Sequence, residues 1–201
     1  METDLYKTIA EAADTSIRER SSKFYAFAWP VGSEDEVKGH LDELRKKYYD
    51  ATHHCYAWRM GPTGEANRAN DDGEPSGTAG KPILGQILSA GLTDILIVVV
   101  RYFGGTKLGV PGLIAAYKES AREVIEACRI VEKTVDVSFD VKVAYEAING
   151  VMKVIKEMEP NIVSQKFDNV CEITLSIRAS KADELMARLG KCNGAQIEKN
   201  V

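Results

Sequence analysis

Apolar residues recur along this chain in two rhythms, one of about 3.6 residues and one of two, and the changes of rhythm mark out the elements. Val37, Leu41, Leu44 and Tyr48 keep helical spacing behind Ser33-x-x-Glu36. That tetrad is a capping box, in which each side chain satisfies an otherwise orphan backbone donor. The aromatic-rich Lys23 to Trp29 before it reads as a strand, as does Thr52 to Met60 after it. Gly61 to Gly80 is rich in Gly, Asn, Asp and Pro and is expected to be loop throughout. Loops of that length in compact domains are usually functional or disordered. Pro82 suits a helix start, Ile83, Leu84, Ile87 and Leu88 supply its buried face, and Gly91 ends it. The β-branched run Ile95 to Val100 predicts a strand buried on both faces. A glycine-rich turn, Gly104 to Gly112, leads into a long amphipathic helix marked by Leu113, Tyr117, Ala121, Val124 and Cys128.

After Cys128 the pattern resets. Val135, Val137, Phe139 and Val141 alternate as one face of a strand, and Tyr145, Ile148, Met152, Ile155 and Met158 give a helix. Ile162 to Phe167 and Cys171 to Ile177 read as strands about Asp168-Asn169. Ser180 is the expected cap of a helix holding Leu185, Met186 and Leu189 and ended by Gly190, and Ala195 to Glu198 closes as a strand. The order β-α-β-β-α-β is the ferredoxin-like split. The expected class is α+β in two domains, residues 1–130 and 131–201, with the boundary near Arg129 to Lys133.

Composition narrows the function classes. Hydrophobic residues make up 44% and charged residues 28%, enough apolar material for a core without metal or disulfide staples. The net charge is −4, and acidic residues outnumber basic ones on both sides of Ile130. Non-specific nucleic-acid binding driven by bulk charge is not expected, whereas a local basic cleft stays open. Cys55, Cys128, Cys171 and Cys192 are scattered with no CxxC pair, against a zinc knuckle or redox motif. Glu2, Asp4 and Lys7 interrupt any signal-peptide core in Met1 to Ala10, and Ile95 to Val100 is too short to cross a bilayer. A cytoplasmic location with reduced thiols is expected.

Two segments carry candidate chemistry. Asp71 to Pro82 holds Asp71, Asp72 and Glu74, then Gly77, Gly80 and Lys81. It is either a loop presenting backbone N–H groups and one cation to an anion, or a rigid loop whose glycines permit tight geometry. It is not a P-loop: Pro75 stands where the first glycine belongs, and Pro82 replaces the Ser or Thr that holds Mg²⁺. Arg101 to Gly112 lies between a strand and a helix, a context in which phosphates bind at helix N-termini. Its spacing is not GxGxxG, so no dinucleotide fold is expected. His53-His54-Cys55 lies in a strand, where alternation lets only His53 and Cys55 share a face. A Cys/His pair and an inert cleft wall both remain open, and a metal site lacks ligands, since the other histidine is His40. Tyr56, Trp58, Tyr102 and Phe103 suit either stacking or core packing. Cys171 to Ile177 has no aromatics, against an RRM.

Ser22-Lys23-Phe24, Ala51 to Trp58, Asp71 to Leu84, Val98 to Gly105, Lys107-Leu108-Gly109, Gly112-Leu113 and Ala116-Tyr117 together closely resemble the IMPACT family, specifically its bacterial YigZ-like branch. The resemblance covers about Ile17 to Glu126 and departs at Val110-Pro111, where the family commonly has Thr-Gly or Ala-Gly. It implies a first domain like the second domain of ribosomal protein S-five, an α/β sandwich, followed by the small ferredoxin-like domain. It also implies contact with RNA, the ribosome or a translation factor in translation regulation or a stress response. It brings no catalytic residues and no cofactor.

The expected site is therefore a non-catalytic cleft. In it Lys81, Arg101 and Lys107 meet phosphates, Gly77, Gly80, Gly104 and Gly105 shape the backbone, and His54, Tyr56 and Tyr102 line the walls. The alternatives are a hydrolase using Cys55 or the carboxylates Asp71, Asp72 and Glu74, and a binder of phosphate ligands through the Asp71–Lys81 loop. Neither membrane partners nor DNA sequence recognition is expected.

Overall fold

The computed structural model describes residues 4–200. In chain order they form β1 (Leu5–Ile9), β2 (Ala13–Glu19), β3 (Ser22–Pro30), α1 (Glu34–Lys47), β4 (His53–Met60), β5 (Ala66–Asn70), α2 (Gly80–Ser89), β6 (Ile95–Tyr102), α3 (Gly109–Ala127) and β7 (Ile130–Thr134). There follow β8 (Asp136–Ala144), a 3₁₀ turn (Tyr145–Ala147), α4 (Ile148–Met158), β9 (Asn161–Lys166), β10 (Val170–Arg178), α5 (Ala179–Leu189) and β11 (Gln196–Asn200). The chain divides into two compact units: Tyr6–Lys133, and Thr134 onward together with the residues up to Leu5. The class is α+β, and no described helix is long and apolar enough to cross a membrane.

In the first unit the sheet order is β2-β3-β6-β4-β5, and every neighbouring pair is antiparallel. β6 lies at its centre. Ile95, Ile97 and Val99 face a core built with Ile83 and Ile87 of α2 and Tyr117, Ala121 and Val124 of α3. Leu96, Val98 and Val100 face a second core with Val37, Leu41 and Leu44 of α1. A continuous β-branched run is needed because helices cover both faces, although the sheet is antiparallel. β1 and β7 form a separate two-stranded ribbon. Ser33 caps α1 by accepting from the Glu36 N–H at 3.3 Å, and Glu36 reaches back to the N–H of Gly32 at 2.8 Å, one residue earlier than a capping box requires.

Three expectations change here. Gly61 to Gly80 is not all loop: Ala66–Asn70 forms β5, an edge strand on β4. α2 begins at Gly80 rather than Pro82. α3 begins at Gly109, which places Pro111 in its first turn, where a missing N–H breaks no helical bond.

In the second unit the order β11-β8-β10-β9 is the ferredoxin-like arrangement. Phe139, Val141 and Val143 of β8 and Cys171, Ile173, Leu175 and Ile177 of β10 bury one face against Val151 and Ile155 of α4 and Leu185 and Leu189 of α5. Ser180 does not cap α5. It lies inside the first turn, and the N–H of Ser180 donates to Asp4 Oδ2 at 3.1 Å. Arg178 donates to both Asp4 oxygens, at 2.7 and 2.8 Å. A residue 176 positions upstream is therefore the cap.

The hydrogen bonds from Arg178 and Ser180 hold the Asp4 carboxyl far below the usual carboxylate range. A carboxyl depressed on folding adds stability above its unfolded pKa of about 4 and loses it as pH falls further. Asp4→Asn is expected to lower the unfolding midpoint of this unit at neutral pH and to flatten its acid dependence. Thermal melts across the acid range check this, and a neutral-pH midpoint equal to the parent's would show that the cap carries no stability.

Candidate functional site

The Asp71 to Lys81 loop is built from the inside. Asp71 Oδ2 accepts the N–H of Gly77 at 2.8 Å, and Oδ1 accepts those of Ala79 at 3.1 Å and Gly80 at 2.8 Å. Those N–H groups do converge on an anion, and the anion is the protein's own carboxylate. It stands at the start of α2, where no N-cap side chain serves. Burial opposes the Asp71 charge, but the three N–H groups outweigh it and hold the carboxyl below its ordinary value. Asp72, at φ 42°, accepts the N–H of His54 at 2.6 Å and so pins the loop to β4.

Glu74 lies deeper. Its Oε1 accepts from Arg101 at 2.6 Å and from the Tyr117 hydroxyl at 2.7 Å. Its Oε2 faces His53 Nε2 at 3.7 Å. His53 Nδ1 is 2.8 Å from the carbonyl of Asp72, which can only accept, so this nitrogen carries the proton. Arg101 also donates to Ser22 Oγ at 3.3 Å. With Arg101 5% and Glu74 8% exposed, this is a buried ion pair joined to β3, β4, β6 and α3.

Arg101 is thus not on a surface that meets phosphates. Lys81 is exposed on the first turn of α2. The glycines serve backbone geometry. Gly77 and Gly105 have φ of 76° and 85°. A Cβ at Gly80 would lie 2.5 Å from Asn70 N, and one at Gly104 1.9 Å from Ser21 O, so neither tolerates a side chain without backbone movement. Tyr56 and Trp58 are buried in the α1-side core and cannot stack on a ligand. His54 is buried too, and burial pushes its imidazole pKa down. The histidine turned toward Glu74 is His53, read as a possible partner of Cys55, and not His54, the one placed in the expected cleft. Alternation put the two rings on opposite faces, but only the tertiary fold shows which face carries the carboxylate.

Cys55 is no activated nucleophile. It is fully buried, its Sγ lies 3.0 Å from the carbonyl of Asp71 and 3.3 Å from the Tyr117 hydroxyl, and burial pushes the thiol pKa up.

Two hollows flank this network. One, of about 370 Å³, is bordered by Thr52, His53, Glu74, Pro75, Arg101 and Phe103 on one side and Lys107 to Val110 and Leu113 on the other. The second, of about 390 Å³, is bordered by Ser21, Lys23, Tyr25, Tyr48, Tyr102 and Phe103. Tyr25 stacks on Tyr48 with centroids 5.8 Å apart and meets Tyr102 edge-on at 6.1 Å. The Tyr102 hydroxyl donates to Asp50 at 2.7 Å, and that bond pushes its pKa up to about 12. Lys47 lies over the Tyr48 ring at 5.2 Å.

The sequence profile described as the Impact N-terminal domain matches residues 20–125, the stretch that builds this network and both hollows. The chain belongs to the IMPACT family. Within it the chain falls in the YigZ-like branch. It is 29% identical over 172 residues to the IMPACT family member YigZ of Escherichia coli (strain K12), covering 85% of this chain and 84% of that one. It is 41% identical over 128 residues to the IMPACT family member YvyE of Bacillus subtilis (strain 168), covering 64% and 59%. A crystal structure described as that of a hypothetical protein matches with TM-score 0.75 at 27% identity over 97% of each chain, so the likeness of fold covers both units.

Removing a cap carboxylate costs about 1–2 kcal/mol, whereas removing one partner of a buried ion pair costs about 3–5 kcal/mol. Asp71→Asn is expected to show the smaller loss at neutral pH. Because its carboxyl is depressed by folding, the loss relative to the parent shrinks as pH falls below about 4. Glu74→Gln is expected to show the larger loss. Denaturant titration ranks the two, and variants as stable as the parent would mean that these carboxylates do not hold the fold.

Proposed function

We propose that this IMPACT-family protein is a non-catalytic, cytosolic binding protein that acts in translation by contacting RNA, with the hollow at Lys23, Tyr25, Tyr48, Tyr102 and Phe103 as its contact surface. The observation that carries the reading is a group of four aromatic rings beside Lys23 and Lys47, with Phe103 45% exposed. Rings beside cations suit single-stranded RNA, because any base offers a face to stack and lysines neutralise the backbone. Two further features support binding over catalysis: Cys55 is sealed in the core, and Asp71 and Glu74 already serve internal donors. The translational role that the family resemblance implies gives the RNA a setting on or near the ribosome.

The surface is tested with a single-stranded 5′-hydroxyl oligoribonucleotide, followed by fluorescence anisotropy. Phe103→Ala is expected to weaken binding about ten-fold, since one base stacked on an aromatic is worth about 1–3 kcal/mol. Lys23→Ala is expected to weaken it less and to reduce the slope of log K against log salt by about 0.7. Unchanged affinity in both variants, or ribosome co-sedimentation indifferent to both, would rule this surface out.

A further inference from the structure

The hollow at the start of α3 differs in kind from the aromatic one. Most of its wall is apolar, from Pro75, Phe103, Leu108, Val110 and Leu113, yet Arg101, Glu74 and His53 meet at its base. Its volume of about 370 Å³ and this mixture of an apolar wall with a few convergent polar groups are those of a small-molecule pocket. Arg101 borders it while 95% buried, and its Nε finds no hydrogen-bond partner among the described residues. Beside it stand Lys107 and the first turn of α3, with Gly109 and Val110 on the border. No side chain caps that helix end and its first turn holds no acidic residue. This is the reverse of α2, whose N-terminal N–H groups close on Asp71. Two cations against the single carboxylate of Glu74 leave the pocket electropositive, although the chain as a whole is acidic.

We propose that this pocket binds a phosphate monoester with a compact organic body. The phosphate lies against Lys107 and the N–H groups of Gly109 and Val110, and the body lies against Phe103, Val110 and Leu113. A doubly charged, three-oxygen head suits a helix N-terminus joined by a lysine. The apolar wall gives the ester its advantage over free phosphate. The site stands independently of the RNA surface, sharing only Phe103 with it.

Calorimetric titration of the full chain uses AMP, ribose 5-phosphate, adenosine, benzoate and inorganic phosphate as probes. AMP, ribose 5-phosphate or both are expected to bind at about 1 mM or below, with adenosine and inorganic phosphate at least about ten-fold weaker. AMP against ribose 5-phosphate shows whether the body is a nucleoside or a sugar. Arg101 is left intact because its loss threatens the fold. Lys107→Ala is expected to weaken the bound ester about five-fold. Val110→Asp places a carboxylate at the exposed helix start, where it leaves the thermal midpoint unchanged or raised. It is nevertheless expected to abolish ester binding. Adenosine or benzoate binding as tightly as the esters, no ester binding at all, or full ester binding by a folded Val110→Asp protein would each overturn the proposal. Lys23→Ala, which weakens RNA alone, separates a failure here from a failure of the RNA surface.

Discussion

One buried ion pair organises the N-terminal unit. Glu74 and Arg101 are both withdrawn from water, which costs several kcal/mol for each charge unless hydrogen-bond partners offset it. The carboxylate is served by Arg101 and Tyr117 and approached by His53, and the guanidinium also reaches Ser22. These partners come from β3, β4, β6 and α3, so the pair ties all four together. Once formed, it holds the loop against the sheet. Asp71 is then delivered to the start of α2 and Asp72 to the edge of β4. The dense Asp71 to Pro82 motif is accounted for mainly by this architecture: its carboxylates are ligands for the protein itself.

That arrangement also explains how an acidic chain leaves lysines at the borders of its hollows. Asp71 and Glu74 direct their charge inward, onto N–H groups and a guanidinium. Lys23 and Lys107 border open space. A count over the whole sequence adds these charges together, whereas a ligand meets only those facing it.

The parts of the fold legible in the sequence are those whose pattern is local. The run Ile95 to Val100, the Ser33 cap and the alternation of Val137, Phe139 and Val141 each announce their elements. β5 is Ala-Asn-Arg-Ala-Asn and carries no apolar rhythm; it is a strand because β4 offers it a ladder. β2 buries little beyond Ala13 and Ile17 and is hidden for the same reason. At the site, residue type was readable and partnership was not. Arg101 read as a phosphate ligand because its counter-ion lies 27 residues away. Gly77 and Gly80 read as an anion cradle, correctly in chemistry, but the anion was already in the motif. Tyr56 and Trp58 suited either stacking or core packing, and they are core, while the half-buried rings bordering the second hollow include Tyr25 and Tyr48, which are far from the glycine segments in sequence.

Asp4 has a consequence for the order of synthesis. Tyr6 to Lys133 is one continuous stretch, so the first unit can fold as soon as that stretch is made. The second cannot be finished in the same way. Its helix cap is made before the first unit, and the helix that needs it after that unit. The nascent chain must keep Asp4 available while the whole first unit and β8 to β10 are synthesised. A C-terminal fragment beginning after β7 would contain every strand and helix of that unit and still lack the carboxylate that starts α5.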